Sequence, residues 1–307
     1  MPSIGYYVMR SIVKYKLRPT LSQSVEVQRK ALDATVKMGK LPPGGTIKKV
    51  SLGGIPAEWV TTPDVSEEKK SVIVYFHGGG FYEGSCEAYR AFAGQLSLAS
   101  GTRVLTVDYR LAPENKYPAA NEDCLGAYRW LLKNGVSAKD IIIGGDSAGG
   151  TLTLMTLLSL RDAGDQLPAA AFTLSAVTDY IDFDGESYAS RAKLDPLMSS
   201  LDKVKVNMDR YLDPSKQKET PSIFSPLKQD LGGLPPLLLQ VGDHEILLSD
   251  SVRFAERAKK AGVDTTLEIY PNMFHCFQLT FFLMPEAKKA ITNIGSFIQK
   301  YMNIHDK

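Results

Sequence analysis

Residues 141–150, IIIGGDSAGG, restrict the possible folds of this chain more than any other stretch. An apolar run ends in small residues around Asp146 and Ser147, and a helix-forming segment, residues 151–160, follows without a spacer. This is the strand, tight turn and helix of a G-x-S-x-G elbow. Gly145 and Gly149 flank Ser147 where a side chain would crowd the turn, so the backbone can take a strained conformation there. The serine hydroxyl then stands at a helix N-terminus, where developing negative charge is favoured. The plainer alternative is a glycine-rich turn in which Ser147 only caps the helix, and the rest of the chain decides between the two.

The same strand-to-helix grammar repeats. Residues 46–52 and 57–61 predict a hairpin around Gly53 and Gly54. Residues 71–76, SVIVYF, predict a buried strand, followed by His77-Gly78-Gly79-Gly80 and a helix over 87–100 that Gly101 ends. Strands are expected at 103–108, 141–146, 169–174, 236–241 and 265–270, and helices at 118–133, 249–260 and 285–301. Between residues 178 and 225 the alternation gives way to a stretch rich in Asp, Ser and Tyr with short helical pieces such as 202–211. An insertion of that length inside a compact domain is usually functional, often a lid. The pattern as a whole predicts a doubly wound α/β domain with an antiparallel start.

Composition excludes several classes. With 307 residues, 44% hydrophobic and 23% charged, the chain reads as an ordinary globular protein that can bury a large core. A net charge of +2 gives no reason to expect nucleic acid as a partner. Cys86, Cys124 and Cys276 are odd in number and widely spaced, which argues against a disulfide framework or zinc cage and makes a reducing, cytoplasmic compartment the expectation. Neither a signal peptide nor a membrane-spanning window is expected. Tyr6, Tyr7, Met9, Ile12, Val13 and Leu17 make a partly apolar helical face beside Arg10, Lys14, Lys16 and Arg18. That face could lie on a membrane surface, but one stripe at helical spacing is the ordinary mark of a helix packed over its own core.

Ligands of such sheets bind beyond the carboxyl ends of the strands, which directs attention to His77 to Gly80, Asp108, Asp146-Ser147, Asp243-His244-Glu245 and His275. A serine nucleophile needs a base, and the base an acceptor that holds its tautomer. Of the four histidines, His305 lies in a polar tail, His77 opens a glycine run where it would anchor the loop, and His244 follows Asp243 directly. His275, in a short loop after the last strand, is the expected base, in the chain order Ser, Asp, His. For the acceptor, Asp243 is preferred, with Glu245 and Asp250 as competitors and Asp250 expected in the first turn of the next helix. Asp108 and Asp123 are expected to be structural. Gly78 and Gly79, with the amide after the nucleophile at Ala148, are the candidate oxyanion donors. Phe81, Tyr82, Tyr188, Met208 and Phe277 are candidate walls of the substrate pocket.

H-G-G-G-F at His77 to Phe81, Y-R-L-A-P-E at Tyr109 to Glu114, Y-P-A-A-N-E-D at Tyr117 to Asp123 and G-D-S-A-G-G at Gly145 to Gly150 together resemble the bacterial hormone-sensitive lipase family of α/β-hydrolases. The resemblance covers essentially the whole chain. It implies an α/β-hydrolase fold with a mostly parallel central sheet flanked by helices and a helical cap. It also implies carboxylic ester hydrolysis by Ser147, His275 and Asp243, an oxyanion hole of Gly78, Gly79 and Ala148, no metal and no cofactor. The cap would comprise residues 1–45 and 178–225, and the hydrolase core 46–177 and 226–307.

The chain departs from the family pattern at three places. Asp243-His244-Glu245 stands where the family commonly has D-P-L, Cys276 replaces a glycine after the base, and Asn115 replaces a histidine. Cys276 would narrow the pocket or offer a reactive thiol. The expected partner is a small ester with a short or medium acyl chain, without nucleic acid or integral membrane contact, and a homodimer is compatible with the sequence. Two alternatives share these features: a non-enzymatic small-ligand receptor on the same fold, against which His275 argues, and an amidase, formamidase or lactonase using the same residues.

Overall fold

In the computed structural model, which describes residues 1–66 and 70–302, eight strands form one sheet in the order β1-β2-β4-β3-β5-β6-β7-β8. The strands are β1 Thr46–Leu52, β2 Ile55–Thr61, β3 Val72–Phe76, β4 Arg103–Val107, β5 Ile141–Asp146, β6 Ala170–Leu174, β7 Leu237–Gly242 and β8 Thr265–Tyr270. β1 and β2 are the predicted hairpin, closed by Gly53 and Gly54 at φ 68° and 107°, backbone that only glycine takes readily. β2 also runs antiparallel to β4, and every later pairing is parallel. Buried on both faces, the central strands need apolar side chains at successive positions, and all five residues of β3 are buried.

Helices cover both faces. Strand alternation sends Val72, Val74 and Phe76 into a core with α4 (Ala119–Lys133), α5 (Ala148–Asp162) and α8 (Leu248–Lys260). Ile73 and Tyr75 enter the opposite core with α3 (Cys86–Ser100) and α9 (Pro285–Met302). α3 starts where the Ser85 side chain accepts from the Ala88 amide, and stops at Gly101 in the left-handed conformation. Two segments lie outside this sandwich. Residues 1–45 form α1 (Ile4–Ile12), a π-helical turn Val13–Leu17, a 3₁₀ turn Arg18–Ser22 and α2 (Val25–Val36). Between β6 and β7 lie α6 (Ser187–Ser190) and α7 (Asp202–Tyr211).

Of the two settings considered for the N-terminal stripe, the structure has it against the protein. Met9, Tyr6 and Val13 are buried in the same core as Phe274. A Cβ on Gly5 would sit 1.9 Å from the Leu283 carbonyl oxygen, and Ser3 donates two hydrogen bonds to Glu286. Among the described residues no helix is long and apolar enough to cross a membrane.

Candidate active site

The parallel strands deliver their carboxyl ends to one edge of the sheet, and the expected residues meet there. Ser147 takes φ 51° and ψ −122° between β5 and α5, and its amide bonds the Leu174 carbonyl at the end of β6 at 2.8 Å. The flanking glycines are sterically required: a Cβ on Gly145 would lie 2.4 Å from the Gly149 carbonyl oxygen, and one on Gly149 would lie 2.0 Å from that of Phe76. Ser147 therefore sits in a strained turn that only its small neighbours permit.

His275 Nε2 is 3.0 Å from Ser147 Oγ, as the sequence led one to expect. The acceptor behind it is Glu245 and not Asp243. His275 Nδ1 lies 3.2 Å from Glu245 Oε2. Glu245 is fully buried, and its other oxygen accepts from the Gly242 amide at 2.6 Å and from Ser175 Oγ at 2.8 Å. Those two donors aim the carboxylate at the imidazole. Asp243 is engaged elsewhere: its Oδ1 accepts from the Asn272 amide at 2.5 Å and its side chain is 38% exposed. One methylene shorter and pinned to the 272 turn, it forms no bond to His275. Burial alone would lower the His275 pKa, but the hydrogen bond and charge of Glu245, with Asp195 and Asp146 nearby, outweigh burial and raise it.

The glycine loop after β3 is held from below by Asp146. This buried carboxylate accepts from Tyr75 Oη at 2.8 Å, Tyr89 Oη at 2.9 Å and the Gly78 amide at 2.9 Å. The Gly78 amide is thus engaged by Asp146 and Gly78 does not line the cavity, a correction to its expected place among the oxyanion donors. Gly79 and Gly80, at φ 111° and 60°, are the two that line the cavity beside Ser147. His77 anchors the loop as expected, with Nδ1 2.8 Å from the Gly78 carbonyl oxygen and its ring stacked on Tyr109 at 4.3 Å. Asp108 accepts from the first amide of α3 at 2.6 Å, and Asp123 from the Arg110 amide at 2.8 Å, both structural bonds. His244 donates its amide to Met273 and stands apart from the serine; His305 lies outside the described residues.

A cavity of about 120 Å³ opens on Ser147 and His275. Its walls are mostly apolar: Val13, Leu17 and Leu21 from the N-terminal segment, Leu32 and Val36 from α2, Leu197 and Met198 from the insertion, and Phe274 and Leu279 near His275 in the chain. Of the five expected wall residues only Tyr82 lies there. Phe81, at φ 71°, turns inward and stacks on Tyr211 at 4.7 Å. Tyr188 donates to Asp250 Oδ2 at 2.7 Å, Met208 belongs to the main core, and Phe277 packs on Tyr270. Their pull toward the core is the ordinary one for large apolar side chains. Pocket walls made by residues 13–36 carried no local signal beyond one helical stripe.

Cys276 lines the cavity at φ 52°, the left-handed backbone that suits the glycine it replaces. Burial pushes its thiol pKa well up, so it is not a ready thiolate. All three cysteines are free and buried. Among the described residues no group of three or more His, Cys, Asp or Glu side chains gathers to hold a metal ion.

Residues 73–279 match the family described as alpha/beta hydrolase fold. The chain is 37% identical over 283 residues to an acetyl-hydrolase of Streptomyces hygroscopicus, covering 91% of each. It is 34% identical over 294 residues to an esterase of Acinetobacter venetianus, covering 95% of each. Among solved structures, an esterase from the bacterial hormone-sensitive lipase family superposes with a TM-score of 0.91 at 36% identity, over 98% of this chain and 99% of that one. By these matches in sequence and in fold, the chain belongs to the α/β-hydrolase family, in its bacterial hormone-sensitive lipase branch.

Proposed function

We propose that this protein hydrolyses carboxylic esters of short to medium acyl chain through an acyl-enzyme on Ser147, with His275 as general base and acid and Glu245 as the group that orients and charges the imidazole. The observation that carries the reading is the continuous hydrogen-bonded line from Ser147 Oγ to His275 Nε2 at 3.0 Å and from Nδ1 to Glu245 at 3.2 Å, opening on an apolar cavity. His275 takes the serine proton as Oγ attacks the ester carbonyl, then returns it to the departing alcohol. Water enters by the same route and releases the acid. The amides of Gly79, Gly80 and Ala148 receive the oxyanion; the first two line the cavity, and Ala148 heads α5, where an amide has no partner within the helix.

The acyl-length reading is supported by walls of Leu and Val side chains, which suit an alkyl chain, and by the similarity to a protein named an acetyl-hydrolase, which favours short acyl groups. Residues 1–45 and 178–225 act as the cap over a core of 46–177 and 226–307, since both segments send side chains into the cavity: Leu17, Leu21 and Leu32 from the first, Leu197, Met198 and Asn207 from the second. A base within reach of the serine weighs against a purely receptor-like role.

The test is hydrolysis of p-nitrophenyl esters of increasing acyl length by the wild type and by Ser147→Ala. The variant is expected to lose activity by ~10⁶, with a wild-type optimum among the shorter chains. Substantial activity left in Ser147→Ala would overturn the assignment, and a matched anilide cleaved faster than its ester would move it to amides.

A further inference from the structure

The same cavity holds a carboxyl group that the proposed hydrolysis does not use. Glu83 sits one turn past the glycine loop, its amide bonded to the Gly79 carbonyl at 2.8 Å, and its side chain lines the cavity with Ser147 and His275. It is 5% exposed, and Oε1 has no hydrogen-bond partner. A buried carboxyl oxygen without a partner costs free energy, so holding this carboxyl in the cavity wall is destabilising in itself.

The charged groups around Glu83 are engaged elsewhere. From α2, Arg29 bonds Glu114 at 2.8 Å, the Tyr82 carbonyl at 2.7 Å and the Ala112 carbonyl at 2.7 Å. Arg210 of α7 lies over the Tyr82 ring at 4.1 Å and donates to Gln28 Oε1 at 3.2 Å. Tyr82 Oη donates to that same Gln28 oxygen at 2.9 Å, and Asp33 of α2 pairs with Lys37 at 3.7 Å. Burial raises the Glu83 pKa to about 7, with Tyr82, Arg210 and Arg29 pulling it down and Asp33 adding to the rise.

Resting on the esterase reading, we propose that Glu83 is a specificity residue whose carboxyl group, in the cavity wall, accepts a hydrogen bond from a hydroxyl on the non-reacting part of the ester. A hydroxyl suits this place better than an ammonium, because two guanidiniums already stand near the carboxyl and burying a further cation in an apolar cavity is costly. A site built around a polar contact discriminates against the analogue that lacks it far more strongly than an apolar wall does.

The experiment compares kcat/KM within two matched pairs, p-nitrophenyl 3-hydroxybutyrate against p-nitrophenyl butyrate, and 2-hydroxyethyl butyrate against ethyl butyrate. Wild type, Glu83→Gln and Glu83→Leu are each assayed. The wild type is expected to favour the hydroxylated member of at least one pair by ~10-fold or more. Glu83→Leu is expected to abolish that ratio, and Glu83→Gln, which keeps an acceptor oxygen, to retain part of it. A wild type that does not favour the hydroxylated member of either pair, or a ratio unchanged in both variants, overturns the proposal while Ser147-dependent butyrate hydrolysis still upholds the esterase reading. Absence of Ser147-dependent hydrolysis of all four esters by the wild type overturns that reading, and this one with it. If Glu83→Leu does not fold, the ratio in Glu83→Gln decides: a fall supports the assignment and no change overturns it.

Discussion

Glu245 and Asp243 are two residues apart on one loop, yet only the first bonds the imidazole. The Gly242 amide and Ser175 hydroxyl hold one Glu245 oxygen and so direct the other at His275 Nδ1. Glu245→Gln is expected to lower kcat by ~10⁴, the scale seen when the acceptor of such a triad loses its charge; Asp243→Asn should leave kcat/KM within a few-fold. The pH profile gives a second readout. His275 must be neutral to accept the serine proton, and its pKa is raised above 6.5, so kcat/KM should rise with pH through an apparent value above 6.5. Removing the carboxylate charge destabilises the imidazolium, so in Glu245→Gln that rise moves to lower pH. The same displacement in Asp243→Asn instead would restore the aspartate as the acceptor. Both acids lie past one strand end, and the sequence favours Asp243 over Glu245. Their difference lies in contacts with Ser175 and Asn272, each about thirty to seventy residues away along the chain.

At the scale of elements, the N-terminal segment and the insertion supply most of the aliphatic side chains of the cavity wall, and both were legible only as segments. The periodicity of residues 6–17 announced a helix with an apolar side; it could not say that Val13 and Leu17, in the π-helical turn, would face the serine. Such turns commonly occur at functional sites because the extra residue re-aims the side chains. Leu17 is nearly buried and lines the cavity. Leu17→Ala is therefore expected to shift the preferred acyl chain toward longer esters while lowering stability by about 2–3 kcal/mol. An unchanged acyl profile, measured across the p-nitrophenyl series, would place this turn outside the acyl site. The insertion is anchored more firmly than its polar composition suggested. Asp250, in the first turn of α8 as expected, accepts from the Thr178 amide at 2.7 Å and from Tyr188 Oη at 2.7 Å. This bond is what draws Tyr188 away from the cavity and into the core.

For the whole molecule, several carboxyl groups are buried with raised pKa values: Asp195 and Asp250 to about 6, Glu83 to about 7, and Asp146 upward, in each case chiefly by burial. A carboxyl whose folded pKa lies above its unfolded one binds its proton more tightly when folded. Its contribution is complete below the unfolded value near ~4 and is lost as pH climbs through the folded value. The raised imidazole of His275 acts in the same direction, while His77 and His244, both lowered by burial, act against it and are outnumbered by the four carboxyls. Glu114, held down at about 2 by Arg29, stays ionised across this range and does not tilt the balance. Tm is therefore expected to be higher near pH 5 than near pH 8, and Asp250→Asn, which cannot ionise, should make that decline shallower. A Tm rising steadily from pH 5 to 8 would contradict this. Which acids are buried was not visible in the sequence, because burial is a property of the packed sheet and helices.

The sequence by itself determined the local chemistry of this protein. It specified the strand and helix alternation, the glycines without which Ser147 could not occupy its turn, and the placing of Ser147, His275 and the glycine loop at strand ends. These are short-range properties, set by side-chain periodicity and by steric limits within a few residues. Tertiary structure alone decided which acid faces His275, that the Gly78 amide belongs to Asp146, and that residues 13–36 join Tyr82 in the cavity wall while Phe81, Tyr188 and Phe277 do not. Each of those depends on hydrogen-bond partners and packing surfaces brought together from distant parts of the chain, and a difference of one methylene between Asp and Glu is enough to choose among them.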